Sequence, residues 1–199
     1  MSGPVGILGC PGSGKTTLAR RLASDIVART GAPLLVIDTG AVENFTDIPH
    51  AQDVDDLIEM VWTDGVHAAY TPKDPEEFET VCGAIIGGRN VVVLIDELKN
   101  VIPPGHPMRA NCRRILSEWR RILAGAFVTS QLYHDSGRAL QGLASEWYFF
   151  RMLGPEDQRD IRADHGIEPE VIANLPSAKE CALTGRREAE SYIYRKVGF

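Results

Sequence analysis

The sequence has few cysteines and no long apolar run. Its four cysteines form no C-x-x-C pair, and its five histidines lack the spacing of metal ligands, which argues against a zinc site and a disulfide framework. No apolar segment approaches the ~20 residues that a membrane-spanning helix needs. The first residues enter an apolar strand without the basic segment and apolar core of a signal peptide. We therefore expect a cytosolic protein.

An excess of basic residues is also absent. The 21 lysines and arginines are outnumbered by 27 aspartates and glutamates, so the formal net charge is −6. Because proteins that coat nucleic acid are usually basic overall, this total lowers the expectation of nucleic-acid binding. Contacts confined to a local patch or to the lumen of a ring stay compatible with it. The length of 199 residues, 44% of them hydrophobic, suits a single domain, which we place at residues 1–199.

One stretch near the start, VGILGCPGSGKTT over Val5–Thr17, fits a phosphate-binding loop. An apolar run enters a glycine-rich turn and apolar residues then recur at helical spacing, which is the strand–loop–helix context of G-x-x-x-x-G-K-[ST]. The glycines allow successive N–H groups to curl around phosphate oxygens, and the helix directs its positive dipole end at the same anion. The predicted nucleotide-binding residues are Gly9, Pro11, Gly12, Ser13, Gly14, Lys15, Thr16 and Thr17.

Two residues of this loop have distinct predicted roles. Lys15 supplies a positive charge to the β- and γ-phosphates, and the hydroxyl of Thr16 is a predicted ligand of Mg²⁺. The alternative is a chance glycine turn before an amphipathic helix, but four fixed residues in the required context argue against it. The sequence therefore predicts a nucleoside triphosphate site, which we assign to ATP and Mg²⁺.

Strand and helix patterns alternate along the chain. Continuous apolar runs at Leu34–Ile37 and Val91–Ile95 are typical of buried parallel strands. Helices are predicted over Lys15–Arg29, Val54–Trp62, Asp74–Gly88, Met108–Leu123, Gly137–Ala144, Pro155–His165 and Pro169–Leu175, and further strands over Val66–Tyr70, Gly125–Thr129 and Glu146–Arg151. Cys181–Thr184 and Ser191–Arg195 predict a C-terminal β-hairpin. We expect an α/β P-loop NTPase fold with a mostly parallel sheet flanked by helices.

Polar residues follow two of these strands, at the edge where doubly wound sheets bind their ligands. Asp96 follows VVVLI and matches the Walker B aspartate that orients Mg²⁺. Glu97 can polarise a water for in-line attack on the γ-phosphate. Gln131, after AFVTS, is a candidate sensor of the γ-phosphate or holder of the attacking water. Either carboxylate alone would also fit a strand-end cap, and a glutamine at a strand end is by itself nearly uninformative. Together with the loop, the carboxylates favour hydrolysis over group transfer, and Gln131 becomes the sensor candidate.

The motifs GCPGSGKTT, VVVLIDE and SEWRRILAGAFVTSQ resemble those of HerA/FtsK-type P-loop ATPases, and YFFRMLGPEDQRDIRADHG is similar to a later strand and helix of that family. The compact length resembles the genome-packaging ATPases of tailless, membrane-containing double-stranded DNA viruses. The resemblance implies a homo-oligomeric ring, commonly a hexamer, that hydrolyses ATP to move double-stranded DNA into a capsid. It also implies capsid or vertex proteins as partners, and a location in the host cytoplasm or in association with the virion.

Ring motors commonly use an arginine of one subunit at the nucleotide of its neighbour. By its position before the strand that ends at Gln131, Arg120 matches this family feature best, with Arg121 beside it. The alternative for both is a solvated basic helix face. Further cations are Arg151, a weaker candidate for the same role, and Lys73, Arg89 and Lys99, which could follow a DNA backbone but fit solubilising surface equally well.

Other functions stay open at this point. A nucleotide-type small-molecule kinase fits the length and the GSGKTTLARRLA segment, although Asp96, Glu97 and Gln131 and the lack of an arginine-rich lid disfavour it. A membrane-associated assembly ATPase for phage export would usually carry a spanning segment. A GTP-dependent switch would carry an N-K-x-D motif, which the sequence lacks.

Overall fold

The computed structural model describes residues 3–39, 45–102, 107–134, 138–176 and 192–195. The strands are β1 (Val5–Leu8), β2 (Leu34–Asp38), β3 (Ala68–Tyr70), β4 (Val91–Asp96), β5 (Leu123–Ser130), β6 (Glu146–Phe149) and β7 (Tyr192–Arg195). The α-helices are α1 (Lys15–Thr30), α2 (Val54–Ile58), α3 (Pro75–Gly88), α4 (Ala110–Ser117), α5 (Trp119–Ile122), α6 (Arg138–Gln141), α7 (Pro155–His165) and α8 (Pro169–Ala173). A π-helical turn over Glu59–Thr63 continues α2, and a 3₁₀ turn over Leu98–Asn100 follows β4.

The seven strands form one sheet in the order β3-β2-β4-β5-β1-β6-β7. β1 to β6 are parallel to one another, and β7 runs antiparallel to β6. Every residue of β1 to β4 is buried, because the sheet is covered on both faces and alternate side chains enter two different cores. Val93 and Ile95 lie in one core with α3, α4 and α7, and Leu94 lies in the other with α1. The predicted α/β P-loop NTPase fold is confirmed.

The end of the chain carries one of the two strands predicted for a hairpin. β7 falls within Ser191–Arg195 and pairs with β6, with Tyr192 opposite Phe149. The other predicted strand, Cys181–Thr184, lies outside the described residues. The antiparallel edge of the sheet is therefore formed by a segment from far along the chain.

The predicted capping signals account for the ends of two helices. Gly31 ends α1 with a left-handed backbone (φ 69°), and its N–H donates to the Val27 carbonyl at 2.8 Å, as expected of a C-terminal glycine. Asp74 caps α3 by accepting from the backbone N–H of Glu77 at 2.8 Å, and Pro75 takes the first helical position, where its missing N–H costs nothing. Of the helices in the described ranges, none combines the length and apolar character that crossing a membrane requires.

The single helix predicted over Met108–Leu123 is wrong. α4 ends at Ser117, Glu118 leaves the helical region (φ −101°, ψ 18°), and α5 is a separate single turn. Leu123 is already the first residue of β5, where it pairs with Val91. At Leu123 the pairing of β5 with β4 therefore overrides the helical pattern of the sequence.

The helix predicted over Val54–Trp62 is confirmed only in its first half. α2 ends at Ile58, and the chain widens into the π-helical turn. In this turn the Trp62 indole N–H donates to the Arg89 carbonyl at 2.9 Å. The π-helical turn therefore places the Trp62 side chain against the end of α3.

Gly6 in β1 is a position where we predict that any side chain disturbs the core. A Cβ built there would lie 2.4 Å from Cε3 of Trp147, whose side chain is fully buried on the neighbouring strand. We expect Gly6→Ala to lower the free energy of unfolding by about 1–3 kcal/mol, the usual cost of overpacking. Denaturant unfolding measures this change.

Gly87→Ala is the control for this prediction. Gly87 lies in α3, and an added Cβ meets nothing within 4 Å, so alanine there should raise stability by roughly 0.5–1 kcal/mol. An unfolding free energy for Gly6→Ala equal to or above that of the unchanged protein would contradict the prediction.

Candidate nucleotide-binding site

The loop between β1 and α1 lies at the carboxyl edge of the sheet, between the ends of two other strands. The N–H of Gly9 donates to the Ser130 carbonyl at the end of β5, and the N–H of Cys10 donates to the Arg151 carbonyl beyond β6 at 3.0 Å. A Cβ at Gly9 would lie 2.5 Å from Phe150 Cβ. Gly14 caps α1 with φ 105°, a conformation that favours glycine. The loop is therefore held on both sides, with the N-terminus of a 16-residue helix at its end.

The predicted nucleotide-binding residues differ in their exposure along this loop. Pro11, Gly12 and Thr17 are exposed. Ser13 is fully buried, and within the described residues its hydroxyl oxygen has no hydrogen-bond partner. Gly14 and Thr16 are half-buried. A loop that exposes its backbone at the start of a helix can receive an anion there.

Lys15 is buried and directed into the loop. Its side chain is 5% exposed; Nζ donates to the Cys10 carbonyl at 3.2 Å and lies 3.6 Å from Glu97 Oε1. Burial lowers the pKa of Lys15, and the negative charges of Glu97 and Asp96 oppose that shift. The ammonium group therefore lies between the loop carbonyl and the end of β4, with acidic residues on one side.

Asp96 lies at the centre of a small hydrogen-bond network. Its Oδ1 accepts from the Thr16 hydroxyl at 3.2 Å and from the Thr129 hydroxyl at 2.7 Å. The Thr129 oxygen in turn accepts from the backbone N–H of Glu97 at 2.9 Å. Thr16 and Asp96, both predicted as Mg²⁺ ligands, thus present adjacent oxygen atoms, and oxygen atoms are what Mg²⁺ prefers.

Glu97 has an unusual backbone for a non-glycine residue. It adopts a left-handed conformation with φ 58° and ψ 66° and is only 8% exposed. Within the described residues, its Oε2 atom is buried without a hydrogen-bond partner, while Oε1 faces Lys15. Strained backbone of this kind costs about 1–3 kcal/mol and concentrates at functional sites. The turn therefore holds one free carboxylate oxygen at the edge where the loop lies.

Gln131 directly follows β5 and contacts the turn after β4. The Lys99 ammonium group donates to its Oε1 atom at 3.1 Å. The backbone beyond it is also held: the N–H groups of Tyr133 and His134 donate to Asp157 Oδ1 at 2.7 and 3.0 Å. The structure thus brings Gln131 to the same edge as Glu97 and anchors it on both sides.

Sequence reasoning missed several residues of this edge. Thr39, just after β2, holds the turn by its hydroxyl, which lies 2.5 Å from the Asp96 carbonyl and 2.8 Å from the Glu97 carbonyl. Asp38 is buried beside Asp96, its register partner in the sheet. Thr129 carries the network described above. Their shared signal is a polar residue directly at the end of an apolar strand.

Arg120 and Arg121 are not brought to this edge. They lie in α5, which enters the amino end of β5, so the eight residues of that strand separate them from Ser130 by roughly 25 Å. Both are exposed, and Arg120 stacks over the Trp119 ring at 5.8 Å. Neither can reach a ligand bound in the loop of its own chain.

Solved structures share this fold over the full chain. Genome packaging NTPase B204 of Sulfolobus turreted icosahedral virus 2 in complex with AMP is 16% identical with a TM-score of 0.76, covering 98% of this chain and 92% of that chain. The same protein in complex with AMPPCP is 15% identical with a TM-score of 0.76, and the match covers 100% of this chain and 99% of that chain. B204, the DNA-packaging ATPase of Sulfolobus turreted icosahedral virus, is 13% identical with a TM-score of 0.72, and the match covers 99% of this chain and 98% of that chain. At this identity the likeness is one of fold.

The sequence itself matches a known domain family over about two thirds of its length. No curated protein matches the chain significantly. The model of the AAA domain family matches residues 2–132, a stretch that runs from before β1 to just beyond Gln131 and so includes the loop, the turn after β4 and the end of β5. The chain therefore belongs to the AAA domain family of P-loop proteins.

Proposed function

We propose that this chain is a Mg²⁺-dependent ATPase of HerA/FtsK type that moves double-stranded DNA into a viral capsid. The observation that carries the proposal is the contact of Lys15 with Glu97, and of Thr16 with Asp96, at one edge of the sheet. The shared fold with viral genome packaging NTPases over nearly the whole chain supports the biological role. Residues 1–199 act in this proposal as one motor domain.

ATP binds in the proposal across the loop between β1 and α1. The backbone from Gly9 to Gly14 surrounds the phosphates, Pro11, Ser13 and Thr17 line the loop, and the α1 dipole favours the anion. Lys15 turns from Glu97 toward the β- and γ-phosphates. Thr16 and Asp96 hold Mg²⁺, which neutralises phosphate charge when bound. The 3.2 Å between the oxygens of Thr16 and Asp96 supports this pair as its ligands.

Hydrolysis requires a base beside the γ-phosphate, and we assign this role to Glu97. Attack of water forms a new P–O bond at the γ-phosphorus, the bond to the β–γ bridging oxygen breaks, and Glu97 takes the water proton. The Oε2 atom of Glu97 supports this role, because it is buried and has no hydrogen-bond partner among the described residues. Gln131 donates its amide N–H to the γ-phosphate or to the attacking water. The phosphates of ATP compete with Glu97 for the Lys15 ammonium group. Once ATP is bound, Lys15 leaves Glu97, and the carboxylate is free to act as the base.

The proposal includes a homo-oligomeric ring, which we take to be a hexamer around the DNA. Arg120, or Arg121 beside it, completes the site of a neighbouring subunit; its distance from the loop of its own chain supports action in trans rather than in cis. The net charge of −6 favours DNA contacts confined to the ring lumen. Capsid or vertex proteins recruit the ring, in the host cytoplasm or on the virion.

Steady-state ATP hydrolysis, measured with and without double-stranded DNA over a range of protein concentrations, tests the function as a whole. We expect DNA to stimulate hydrolysis, and activity to rise faster than linearly with protein because the sites are completed by assembly. The nucleotide-type kinase would instead be established by a specific activity that is unchanged by DNA and by protein concentration but increases when a small phosphate acceptor is added.

Glu97→Gln tests the proposed base. The amide keeps the size of the carboxylate but accepts no proton, so we expect retained ATP binding and hydrolysis at least ~100-fold slower. Equilibrium binding of a fluorescent ATP analogue and steady-state phosphate release measure the two effects. Glu170→Gln, an exposed position on α8, is the matched control with unchanged rates. Normal hydrolysis by Glu97→Gln would remove Glu97 from the mechanism.

Arg120→Ala tests action in trans. When this variant is mixed with unchanged protein, we expect activity to fall below the sum expected from simple dilution, because one altered subunit disables its neighbour's site. Arg113→Ala, at an exposed position on α4, controls for loss of a positive charge. A linear mixing curve for Arg120→Ala, with the same result for Arg121→Ala, would contradict the assignment.

A further inference from the structure

The contact between Lys99 and Gln131 joins two segments that the proposed mechanism treats separately. Lys99 lies in the 3₁₀ turn after β4, directly after Glu97 and Leu98, and Gln131 follows β5. Their side chains meet at 3.1 Å between Nζ and Oε1 across 32 residues of sequence. The pair therefore links the segment of the proposed base to the segment of the proposed sensor.

The backbone that carries Lys99 is fixed on both sides. Leu98 is fully buried in the core. The Asn100 side-chain amide donates to the Thr39 carbonyl at 2.8 Å, and its backbone N–H donates to the Glu97 carbonyl at 3.0 Å. Since both neighbours of Lys99 are held, the backbone from which its side chain extends to Gln131 is fixed in place.

The chemistry of the pair determines how the amide is turned. A lysine ammonium group has three donors and no acceptor, so only the carbonyl oxygen of Gln131 can face it. The Gln131 NH₂ group is then left to donate elsewhere. An amide rotated the other way would present its acceptor oxygen to the acceptor oxygens of the γ-phosphate, and no hydrogen bond could form between them.

From this geometry, and resting on the proposed function, we infer that Lys99 is a positioning residue for hydrolysis: it holds the Gln131 amide with its NH₂ group directed to the γ-phosphate or the attacking water. Lys99 touches neither in this role and acts through Gln131. The sequence alone suggested DNA-backbone contact or solubilising surface for this lysine, and the contact with Gln131 gives it a place in the nucleotide site instead.

A double-mutant cycle in the full chain tests this inference by basal ATP hydrolysis without DNA. Lys99→Met keeps the length of the side chain but removes the charge and the donors. We expect kcat to fall about tenfold, less than the 10²–10³ that losing a whole stabilising donor costs, with the Kd of the non-hydrolysable analogue AMPPCP unchanged. Lys99→Arg retains donors and should keep most of the activity. In a Gln131→Ala background, Lys99→Met should have no further effect.

Arg29→Met is the matched control, since Arg29 is an exposed cation in the last turn of α1 and its loss should leave basal kcat unchanged. Thermal unfolding establishes that each variant is folded. Two results would overturn the role of Lys99 while leaving that of Gln131 intact. One is that Lys99→Met lowers kcat by the same factor in the unchanged and the Gln131→Ala backgrounds. The other is that Gln131→Ala hydrolyses ATP slowly while Lys99→Met hydrolyses it at the normal rate. Normal hydrolysis by Gln131→Ala would instead overturn the role proposed for Gln131 itself, and the inference with it.

Discussion

One carboxylate oxygen, Asp96 Oδ1, fixes the relative positions of three parts of the fold. It accepts from Thr16 at the start of α1 and from Thr129 near the end of β5, while Asp96 itself ends β4. Asp96 is 1% exposed, and a buried carboxylate is costly unless donors compensate it. Satisfying this one group therefore requires the loop helix and two strand ends to meet, and the other contacts of the site are built around that meeting point.

Parallel strand order makes this meeting possible. β4, β5 and β1 are consecutive in the sheet, so their carboxyl ends, and the residues that follow them, emerge side by side. Glu97 and Gln131 come to the loop for this reason alone, although they are distant from it in sequence. The same geometry sends α5 and its arginines to the opposite edge, so a site completed by Arg120 must be shared between chains.

The elements that sequence predicted best are those whose signals are local. The loop and α1 follow from the glycines and Lys15, and α3 follows from Asp74 and Pro75, because capping and turn chemistry act over three or four residues. The end of the helical segment before Leu123 was missed because Leu123 pairs with a strand some 30 residues earlier, and no local signal in the sequence marks the break at Glu118. Thr39 and Thr129 were missed, and Lys99 was given a different role, because the sequence around a polar residue near a strand end carries no sign of its partner.

The backbone of Glu97 shows how chemistry and stability compete at this site. A glycine would adopt φ 58° without strain, whereas glutamate costs about 1–3 kcal/mol there. Two contacts hold Glu97 in this conformation and offset that cost. The Thr39 hydroxyl lies near the carbonyls of Asp96 and Glu97, and the backbone N–H of Glu97 donates to the Thr129 hydroxyl. In the proposed mechanism the strained turn has a use. It places the Glu97 carboxylate 3.6 Å from the Lys15 ammonium group at the phosphate loop, and the residues that follow bring Lys99 within 3.1 Å of Gln131.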